Sequence, residues 1–370
     1  MAELATTTPK IVDLADQLAA DINHRKLQPG DRYMTTADAA KMLGVGNGVA
    51  NRALQLLERR QVITRQQRRG AFVSGPIQHS SPAPLRRVHF LVHQNYLTSE
   101  GIGNDLVLLG IQEELPGVHV QISFLPTMNA KEFVSDLIDD SLTAKARDGF
   151  ILVRTPHDVQ QLICDRGVPG VVYGALYPGI SRLTRFDRDM SAVGELAANY
   201  LLDRGHRQIG YLSRQQVLPG DHDTMDAFRR VVGERGLFAH QLIERFLPSA
   251  PDVCEAEVRR LLARDDRPTG FICRSRLMAD AAANVFAAEG LQLHRDVDVV
   301  VCDYYLLPNQ QPNYVFPRPA FSAEEQGKRM ARLLAAQSRG EGVADQIIPV
   351  ELDATAASND ETARSQPSIK

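Results

Sequence analysis

The stretch FDRDMSAVGELAANYLLDRGHRQIGYL, residues 186–212, decides the fold class of most of this chain. Apolar residues recur at helical spacing over Ser191–Arg204, and the apolar run Ile209–Leu212 is typical of a short strand that is buried on both faces. The same alternation of buried strands with helices continues in both directions, from residue 88 to residue 353. The pattern predicts a doubly wound α/β domain over residues 88–353.

The other helices and strands of this domain are predicted from the same helical spacing and the same short apolar runs. The predicted strands are Val88–Val92, Val120–Phe124, Gly149–Val153, Val171–Tyr173, Thr269–Cys273 and Val297–Cys302. The predicted helices are Leu106–Leu115, Ala130–Leu142, Asp223–Arg235, Asp252–Ala263, Leu277–Glu289 and Ala323–Ser338. The tail, residues 354–370, has no periodic apolar residues, and we expect it to be disordered.

The first part of the chain follows a different pattern. Apolar residues recur at helical spacing at Ile11, Leu14, Ala15, Leu18 and Ile22. A second helix is predicted to begin near Thr35, which has capping-box spacing to Asp38, and to end at Gly44. A third helix is predicted over Asn47–Arg59.

A hairpin and a linker complete this first region. Val62–Thr64 and Ala71–Val73 are typical of two short strands around a polar turn. Three helices and a hairpin predict a winged helix-turn-helix over residues 1–75. Residues 76–87, within GPIQHSSPAPLRR, include three prolines and predict a linker.

Composition and charge limit the classes of protein to which this chain can belong. With 44% hydrophobic and 24% charged residues, and with four widely spaced cysteines, the chain has the features of a soluble protein without disulfides. No signal peptide, membrane span or metal-binding motif is recognisable, so we expect a cytoplasmic protein with no membrane association, metal or cofactor. Residues 1–75 hold 11 Lys and Arg against 7 Asp and Glu, and the remainder holds 31 against 38. A basic first region favours a polyanionic partner there.

Catalytic motifs do not stand out in the sequence. His206, in RGHRQIGY, is expected to be part of a structural turn between a helix and a strand. The segment GIGNDL, residues 101–106, lacks the third glycine of a dinucleotide-binding loop. We therefore predict that the protein is not an enzyme.

The first 75 residues resemble the DNA-binding domain of the GntR family. The resemblance rests on three segments, LADQLAADINHRKLQPGDR, AAKMLGVGNGVANRALQLLERRQVI and RRGAFV. Ala37, Asn47 and Asn51 stand where members of that family usually carry arginines. The arginine contacts usual at those positions are therefore not implied, and the candidate DNA contacts in this chain are Thr35, Thr36, Asn47, Asn51, Arg52, Arg65, Arg68, Arg69 and Gly70. Two alternatives stay open: Asn47 and Asn51 either read adenine or are solvated, and the turn RQQRRG either touches DNA or is an exposed polar turn.

Residues 88–353 resemble the effector-binding, periplasmic-binding-protein-like domain of the LacI family. The resemblance rests on residues 186–212, on PTGFICRSRLMADAAANVFAAEGLQL and on VDVVVCD, which ends at Asp303. It implies two lobes that face each other across a cleft. The chain is then expected to cross between them near Thr184–Asp187, Leu307–Phe316 and Gly340–Gln346.

The predicted cleft departs from the sugar-binding pattern of that family. Thr224 and Arg276 stand where an arginine and an aspartate usually bind sugar hydroxyls. The implied effector-binding residues are Asn95, Tyr96, Arg154, Tyr173, Asp187, Arg274, Arg276 and Asp303. Arginines at these positions favour an anionic group. Alternatively, the arginines pair with Asp187 and Asp303, and the effector is neutral or absent.

Together the two resemblances imply a transcription regulator, most simply a ligand-responsive repressor. We expect a homodimer formed through Asp105–Glu114 and Leu277–Ala288, with two heads on a double-stranded, inverted-repeat operator and a sugar or sugar-derived effector in the cleft. A transcription activator and a solute-binding protein without a role on DNA are the alternatives.

Overall fold

The computed structural model divides the chain into two compact units, residues 1–83 and 84–370. The structure describes residues 11–28, 30–59, 62–66, 70–73, 85–93, 105–143, 147–304, 306 and 310–358. Within these ranges no helix is both long and apolar enough to span a bilayer. The predicted site residues Arg68, Arg69, Asn95 and Tyr96 lie outside the described residues.

The first unit contains the three helices and the hairpin that the periodicity predicts. Its elements are α1 Ile11–His24, α2 Thr36–Leu43, α3 Asn47–Arg59, β1 Ile63–Gln66 and β2 Gly70–Val73. Its core combines side chains of α1 and α3, namely Leu14, Ala15, Leu18, Ile22, Ala50, Ala53, Leu54 and Leu57. The spacing of these residues on two helical faces therefore explains why the helices pack together.

Local hydrogen bonds fix both ends of α2. The backbone N–H of Asp38 donates to the hydroxyl of Thr35 at 3.3 Å, and the backbone N–H of Thr35 donates to the Asp38 carboxylate at 3.1 Å. This reciprocal pair confirms the predicted capping box. Gly44 ends the helix with a φ of 65°, a left-handed conformation that glycine adopts without a steric penalty.

The hairpin gains a third, strand-like segment that the sequence did not predict. On the edge of β2 that β1 leaves open, the N–H of Tyr33 donates to the carbonyl of Ala71 at 2.8 Å, and the N–H of Val73 donates to the carbonyl of Asp31 at 2.9 Å. The residues just before α2 therefore tie the wing to the helical core.

The second unit begins with alternating strands and helices. These are β3 Leu85–His93, α4 Asp105–Glu114, β4 His119–Leu125, α5 Ala130–Thr143, β5 Arg147–Val153, α6 His157–Arg166, β6 Gly170–Tyr173 and β7 Thr184–Arg188. The elements that follow are α7 Met190–Asp203, β8 Ile209–Arg214, α8 Pro219–Glu234, β9 Leu242–Leu247, α9 Pro251–Leu262, β10 Gly270–Ser275, α10 Arg276–Ala288, β11 Asp298–Asp303, β12 Phe316–Pro319, α11 Ala323–Ser338, β13 Gln346–Ile348 and β14 Val350–Asp353.

Two parallel sheets divide this unit into two lobes. The first lobe contains the sheet β13-β7-β6-β5-β3-β4, and the second contains the sheet β11-β10-β8-β9. Strands β12 and β14 form an antiparallel pair beside the second lobe. The predicted doubly wound α/β architecture is confirmed.

The chain passes between the lobes at Asp189, at residues 320–322 and at Pro349. Each passage lies later in the chain than the sequence predicted. Thr184–Asp187, for example, pairs with β6 as part of strand β7 rather than forming the first connection. Helix α11 belongs to the first lobe, as expected.

Several boundaries differ from their predicted places. Helix α6 and strands β7, β9, β12, β13 and β14 were not predicted as such, and α8 begins at Pro219, four residues before the predicted start at Asp223. Proline favours the first helical turn because its missing N–H has no acceptor there, and the carboxylate of Asp221 accepts the N–H of Leu218 at 2.8 Å. These two local features, rather than apolar periodicity, set the start of α8.

The linker and the tail also need correction. Leu85–Arg87 were assigned to the linker but belong to strand β3. The tail was predicted to be disordered from residue 354, but Thr355–Ser358 form a helical turn. Ala357 of this turn is 5% exposed and packs in the core of the second lobe, so burial of small residues orders the beginning of the tail.

Helices α4 and α11 cross at two glycines. A Cβ atom at Gly110 would lie 2.0 Å from the carbonyl oxygen of Glu324, and one at Gly327 would lie 2.0 Å from that of Val107. Such distances are far below van der Waals contact, so only glycine permits this crossing. It fastens α11 to the first lobe.

Candidate functional site

Helix α3 presents a polar face to solvent in the first unit. Asn47, Gly48 and Arg52 are exposed and Asn51 is half-buried, on the side opposite the core residues of α3. The Nε of Arg52 donates to the carbonyl of Gly48 at 3.4 Å, so this side chain lies along its own helix. The structure thus brings the three predicted contact residues of α3 onto one surface.

The remaining described DNA-contact candidates lie at the start of α2 and in the wing. The hydroxyl of Thr35 donates to the Asp38 carboxylate at 2.7 Å as part of the cap of α2. Thr36 is half-buried in the first turn of that helix. Arg65 is half-buried on β1, and its backbone N–H donates to Glu58 at 3.1 Å. Gly70 begins β2 with a φ of 99°, a conformation that L side chains rarely adopt.

In the second unit, arginines stand at the carboxyl ends of four parallel strands. Arg154 follows β5, Arg188 ends β7, Arg214 ends β8 and Arg274 is the penultimate residue of β10. Ligand sites of open α/β sheets lie at the carboxyl ends of their strands. Here these ends belong to both lobes and line one cavity of about 90 Å³.

Asp303, at the end of β11, lies among all four arginines. Its carboxylate contacts Arg154 Nη2 at 3.2 Å, Arg214 Nη2 at 3.0 Å, and both Arg188 and Arg274. Burial alone would raise the pKa of Asp303, but Arg274, Arg188, Arg214 and Arg154 outweigh it and hold the pKa well below its usual range. Since Arg154 and Arg188 belong to the first lobe, this carboxylate links the two lobes.

Asp221, at the start of α8, is a second buried anion at the cavity. It contacts Arg214 Nε at 3.2 Å and also contacts Arg274, and it caps α8 through the N–H of Leu218. Burial alone would raise its pKa, but the two arginines and this hydrogen bond lower it below the usual value. The charge of Asp221 therefore positions two of the four arginines.

Asp187 is held differently from the other two aspartates. Arg185 Nη2 lies 3.1 Å from its carboxylate, and the backbone N–H of Arg188 donates to it at 2.9 Å. Burial raises the pKa of Asp187, and the two arginines offset that effect only in part. Among the three cavity aspartates, Asp187 is thus the one whose charge is least well compensated.

The cavity is unusually rich in charge. Seven of its sixteen described lining residues are charged: Arg154, Asp187, Arg188, Arg214, Asp221, Arg274 and Asp303. The remaining lining is mainly small or aliphatic, and its one described aromatic residue, Tyr173, donates its hydroxyl to Gln326 at 2.8 Å. The buried hydroxyls of Thr155, Ser213 and Ser275 adjoin the arginines in sequence and find no hydrogen-bond partner among the described residues.

The predicted effector residues separate into two groups. Arg154, Tyr173, Asp187, Arg274 and Asp303 line the cavity together. Arg276 does not line it: as the first residue of α10 its side chain is 42% exposed, its Nε lies 3.5 Å from Asp280, and its guanidinium carbon lies 5.7 Å from the ring centre of Tyr304. The pairing alternative is found for Arg154 and Arg274, both of which contact Asp303.

Three charged lining residues were missed in the sequence. Arg188 lies one residue beyond the predicted crossing Thr184–Asp187, Arg214 two residues beyond the predicted strand Ile209–Leu212, and Asp221 two residues before the predicted helix Asp223–Arg235. A basic residue at the end of an apolar strand was the available signal. Thr224, at the position where an arginine would bind sugar, is fully buried in the second lobe and donates its hydroxyl to the carbonyl of Met190 at 3.0 Å.

His206 lies at the opposite edge of the second lobe from the cavity. Its Nε2 lies 2.7 Å from the Asp298 carboxylate and its Nδ1 lies 2.8 Å from the Thr269 hydroxyl. Asp298 also accepts from Arg204 at 2.7 Å. Burial alone would raise the pKa of Asp298, but His206, His294 and Arg204 hold it far below its usual range. This network is structural, as the sequence predicted.

Comparison with known families divides the chain in the same way. Residues 10–73 match the model described as bacterial regulatory proteins, gntR family. Residues 198–354 match the model of a periplasmic binding protein-like domain. The chain therefore joins a GntR-type helix-turn-helix domain to a periplasmic-binding-protein-like domain.

Curated relatives match parts of the chain. One is the HTH-type transcriptional repressor PurR of Mannheimia succiniciproducens, 29% identical over 38% of this chain and 42% of that protein. Another is the HTH-type transcriptional repressor CytR of Escherichia coli, 24% identical over 49% of this chain and 56% of that protein. The matches thus span only about half of these relatives' lengths.

Solved structures share the fold of the chain at low identity. A transcriptional regulator CelR in complex with cellobiose matches 94% of this chain and 99% of its own, with a TM-score of 0.61 and 19% identity. A LacI-family regulator of Enterococcus faecium with bound ribose matches 72% of this chain and 97% of its own, with a TM-score of 0.60 and 16% identity.

Proposed function

We propose that this chain, in which a GntR-type helix-turn-helix domain precedes a periplasmic-binding-protein-like domain, is a DNA-binding transcription regulator that responds to a small molecule. One observation carries the proposal: a helical head with an exposed polar helix and a bilobed domain with a polar interlobe cavity occur in one chain. A head of this kind has no use in a solute carrier. The repressors among its relatives support repression as its action.

In this proposal the head binds duplex DNA through α3 and the wing. Asn47, Asn51 and Arg52 enter the major groove, where asparagine pairs with adenine and arginine with guanine or phosphate. The wing residues Arg65, Arg68, Arg69 and Gly70, together with the helix start at Thr35 and Thr36, contact the phosphate backbone. Because phosphate contacts release counterions, binding weakens steeply with salt.

The effector of the proposed regulator occupies the interlobe cavity. Its partners are Arg154, Tyr173, Asp187, Arg274 and Asp303, joined by the three charged lining residues that the sequence missed. Neighbouring regulators with bound cellobiose and ribose support a sugar or a sugar derivative as the effector. Asn95 and Tyr96 stay proposed contacts on the strength of the sequence alone, and Arg276 is omitted because it lies outside the cavity.

The proposed regulator acts in the cytoplasm as a homodimer. Helix α4 exposes Leu109, which is 46% accessible, and α10 exposes Ala287 and Ala288, so both predicted dimer helices carry apolar surface. A two-fold dimer presents two heads to an inverted repeat. Effector binding changes lobe closure and so the affinity for the operator, a coupling of about 1–3 kcal/mol.

A mobility-shift assay with the DNA upstream of its own gene tests the proposal. The full chain should bind specifically, and Arg52→Ala should weaken binding about tenfold. The double variant Arg68→Ala/Arg69→Ala should weaken binding to all sequences and flatten the salt dependence. Arg25→Ala is the control for Arg52→Ala, because it removes a single arginine that lies just after α1. Absence of salt-sensitive binding by the unaltered chain contradicts the proposal, and release or recruitment by ligand separates a repressor from an activator.

A further inference from the structure

We infer that the effector of this cleft carries a compact oxyanion, a carboxylate or a phosphate, which takes the place of the Asp303 carboxylate among the arginines of the two lobes. The inference rests on the proposed function, since it names the chemistry of the effector. It differs from a neutral-sugar site in one respect: Asp303 acts as a competitor of the ligand rather than as its partner.

The charge balance of the cavity is the first argument. Four arginines and three aspartates line it, which leaves one positive charge in excess. Asp221 contacts Arg214 and Arg274, so Asp303 is the carboxylate that reaches across the lobes to Arg154 and Arg188. A desolvated guanidinium requires a nearby negative charge, and the Asp303 carboxylate contacts all four arginines.

The geometry of the arginines is the second argument. Planar guanidinium groups donate paired hydrogen bonds that match carboxylate and phosphate oxygens. Arg188, Arg214 and Arg274 are each at most 9% exposed, and the ion pairs hold their positions before any ligand arrives. The Asp303 carboxylate therefore marks a place where an oxyanion is already bound by both lobes.

The size and lining of the cavity are the third argument. A volume of about 90 Å³ is enough for one oxyanion group. Small-molecule pockets in general are mostly apolar and aromatic with few polar groups. In this cavity nearly half of the described lining residues are charged, and Tyr173 is the one described aromatic residue.

Asp303→Asn separates the two chemistries because the predicted effects have opposite signs. The substitution keeps the shape of the side chain and removes its negative charge. An anionic ligand then loses its competitor, and its affinity should rise about tenfold or more, since like-charge contacts cost several kcal/mol. A neutral sugar that donates hydroxyl hydrogen bonds to the carboxylate should instead bind more weakly.

A pair of arginine variants supplies a second measurement that does not depend on Asp303. Arg154→Gln removes a first-lobe guanidinium whose side chain is 17% exposed, and it should weaken anion binding about 30-fold, the equivalent of 2 kcal/mol. Arg276→Gln is the matched control because it removes the same group from outside the cavity. Its affinities should stay within about twofold of the unaltered protein.

The experiment is isothermal titration of the full chain and each variant with D-ribose, D-ribonate and D-ribose 5-phosphate. We expect one or both anions to bind at least about tenfold more tightly than ribose, and the better anion identifies the carboxylate or the phosphate as its source. Tightest binding of ribose, or no anion binding in the millimolar range, overturns the inference. Unchanged affinity of Arg154→Gln for the anions also overturns the inference. This measurement remains available if Asp303→Asn fails to fold. Operator binding in the mobility-shift assay is independent of these outcomes. If the anion inference is overturned, the proposed function as a DNA-binding regulator is therefore unaffected.

Discussion

Replacement of Asp221 by asparagine tests the buried ion network at the start of α8. The substitution keeps the size of the side chain and an acceptor for the N–H of Leu218, but it removes the negative charge beside Arg214 and Arg274. Breaking a buried ion pair costs about 3–5 kcal/mol, because the remaining charge stays desolvated. Since both arginines also contact Asp303, we expect the lower end, about 3 kcal/mol.

Urea unfolding measures this cost. The chain contains no tryptophan, so far-ultraviolet circular dichroism reports the transitions of the full-length protein. The two compact units are fitted separately, and only the transition of the second unit should move. The midpoint should fall while the slope with urea concentration stays the same, since the surface that unfolding exposes is unchanged.

The matched control is Asp226→Asn on the same helix. The side chain of Asp226 is 74% exposed, and it pairs with Arg229 at 3.3 Å. Exposed pairs of this kind contribute little, so we expect a change of at most about 0.5 kcal/mol. If Asp221→Asn costs no more than Asp226→Asn, the buried carboxylate does not hold the arginines in place, and the reasoning about the cleft is refuted.

Three further predictions concern stability. Gly327→Ala places a methyl group against the carbonyl of Val107 and should lower the stability of the second unit by about 3 kcal/mol or more in thermal unfolding, whereas Gly342→Ala, with open space around its Cβ, should change it little. The pKa of Asp298 is depressed in the folded chain, so its contribution to stability is complete above about pH 4 and is lost as the pH falls further. In Asp298→Asn, the free energy of unfolding should therefore depend less on pH in that acid range. Thr35→Ala removes the N-cap of α2 and should destabilise the head by about 1 kcal/mol in urea, and an equal stability of both proteins would contradict the capping role.

Apolar periodicity was sufficient to predict most of the fold. The head helices and most of the predicted parallel strands appear where their patterns indicate, because they bury an apolar face. Strand β4 also appears as predicted, although Ile122 is 46% exposed and Phe124 is 44% exposed. The elements that the sequence missed have weaker patterns. Strand β9, LIERFL, leaves Phe246 41% exposed at an edge of its sheet, and residues 31–34 form hydrogen bonds to a strand of the wing that lies far along the chain.

The candidate site was predicted in part, for a related reason. Asp303 and Arg274 could be found because they end strongly apolar strands. Arg274 and Arg276 are two residues apart, but one ends a strand and the other begins a helix, so only the first reaches the cavity. That four arginines surround one carboxylate could not be deduced, since the contact joins residues as distant in sequence as Arg154 and Asp303.

The route of the chain through the two lobes has a consequence for its synthesis. The sheet of the second lobe is complete once residue 303 has been made, because its four strands lie in one continuous segment. The sheet of the first lobe must wait for β13, and its core must wait for α11, both of which are made after residue 303. On the ribosome, therefore, the four strands of the second lobe can pair while the earlier-made half of the domain still exposes the apolar surface that α11 will cover. During translation, the sheet that begins first is completed last, and its uncovered face is the surface that most needs a chaperone.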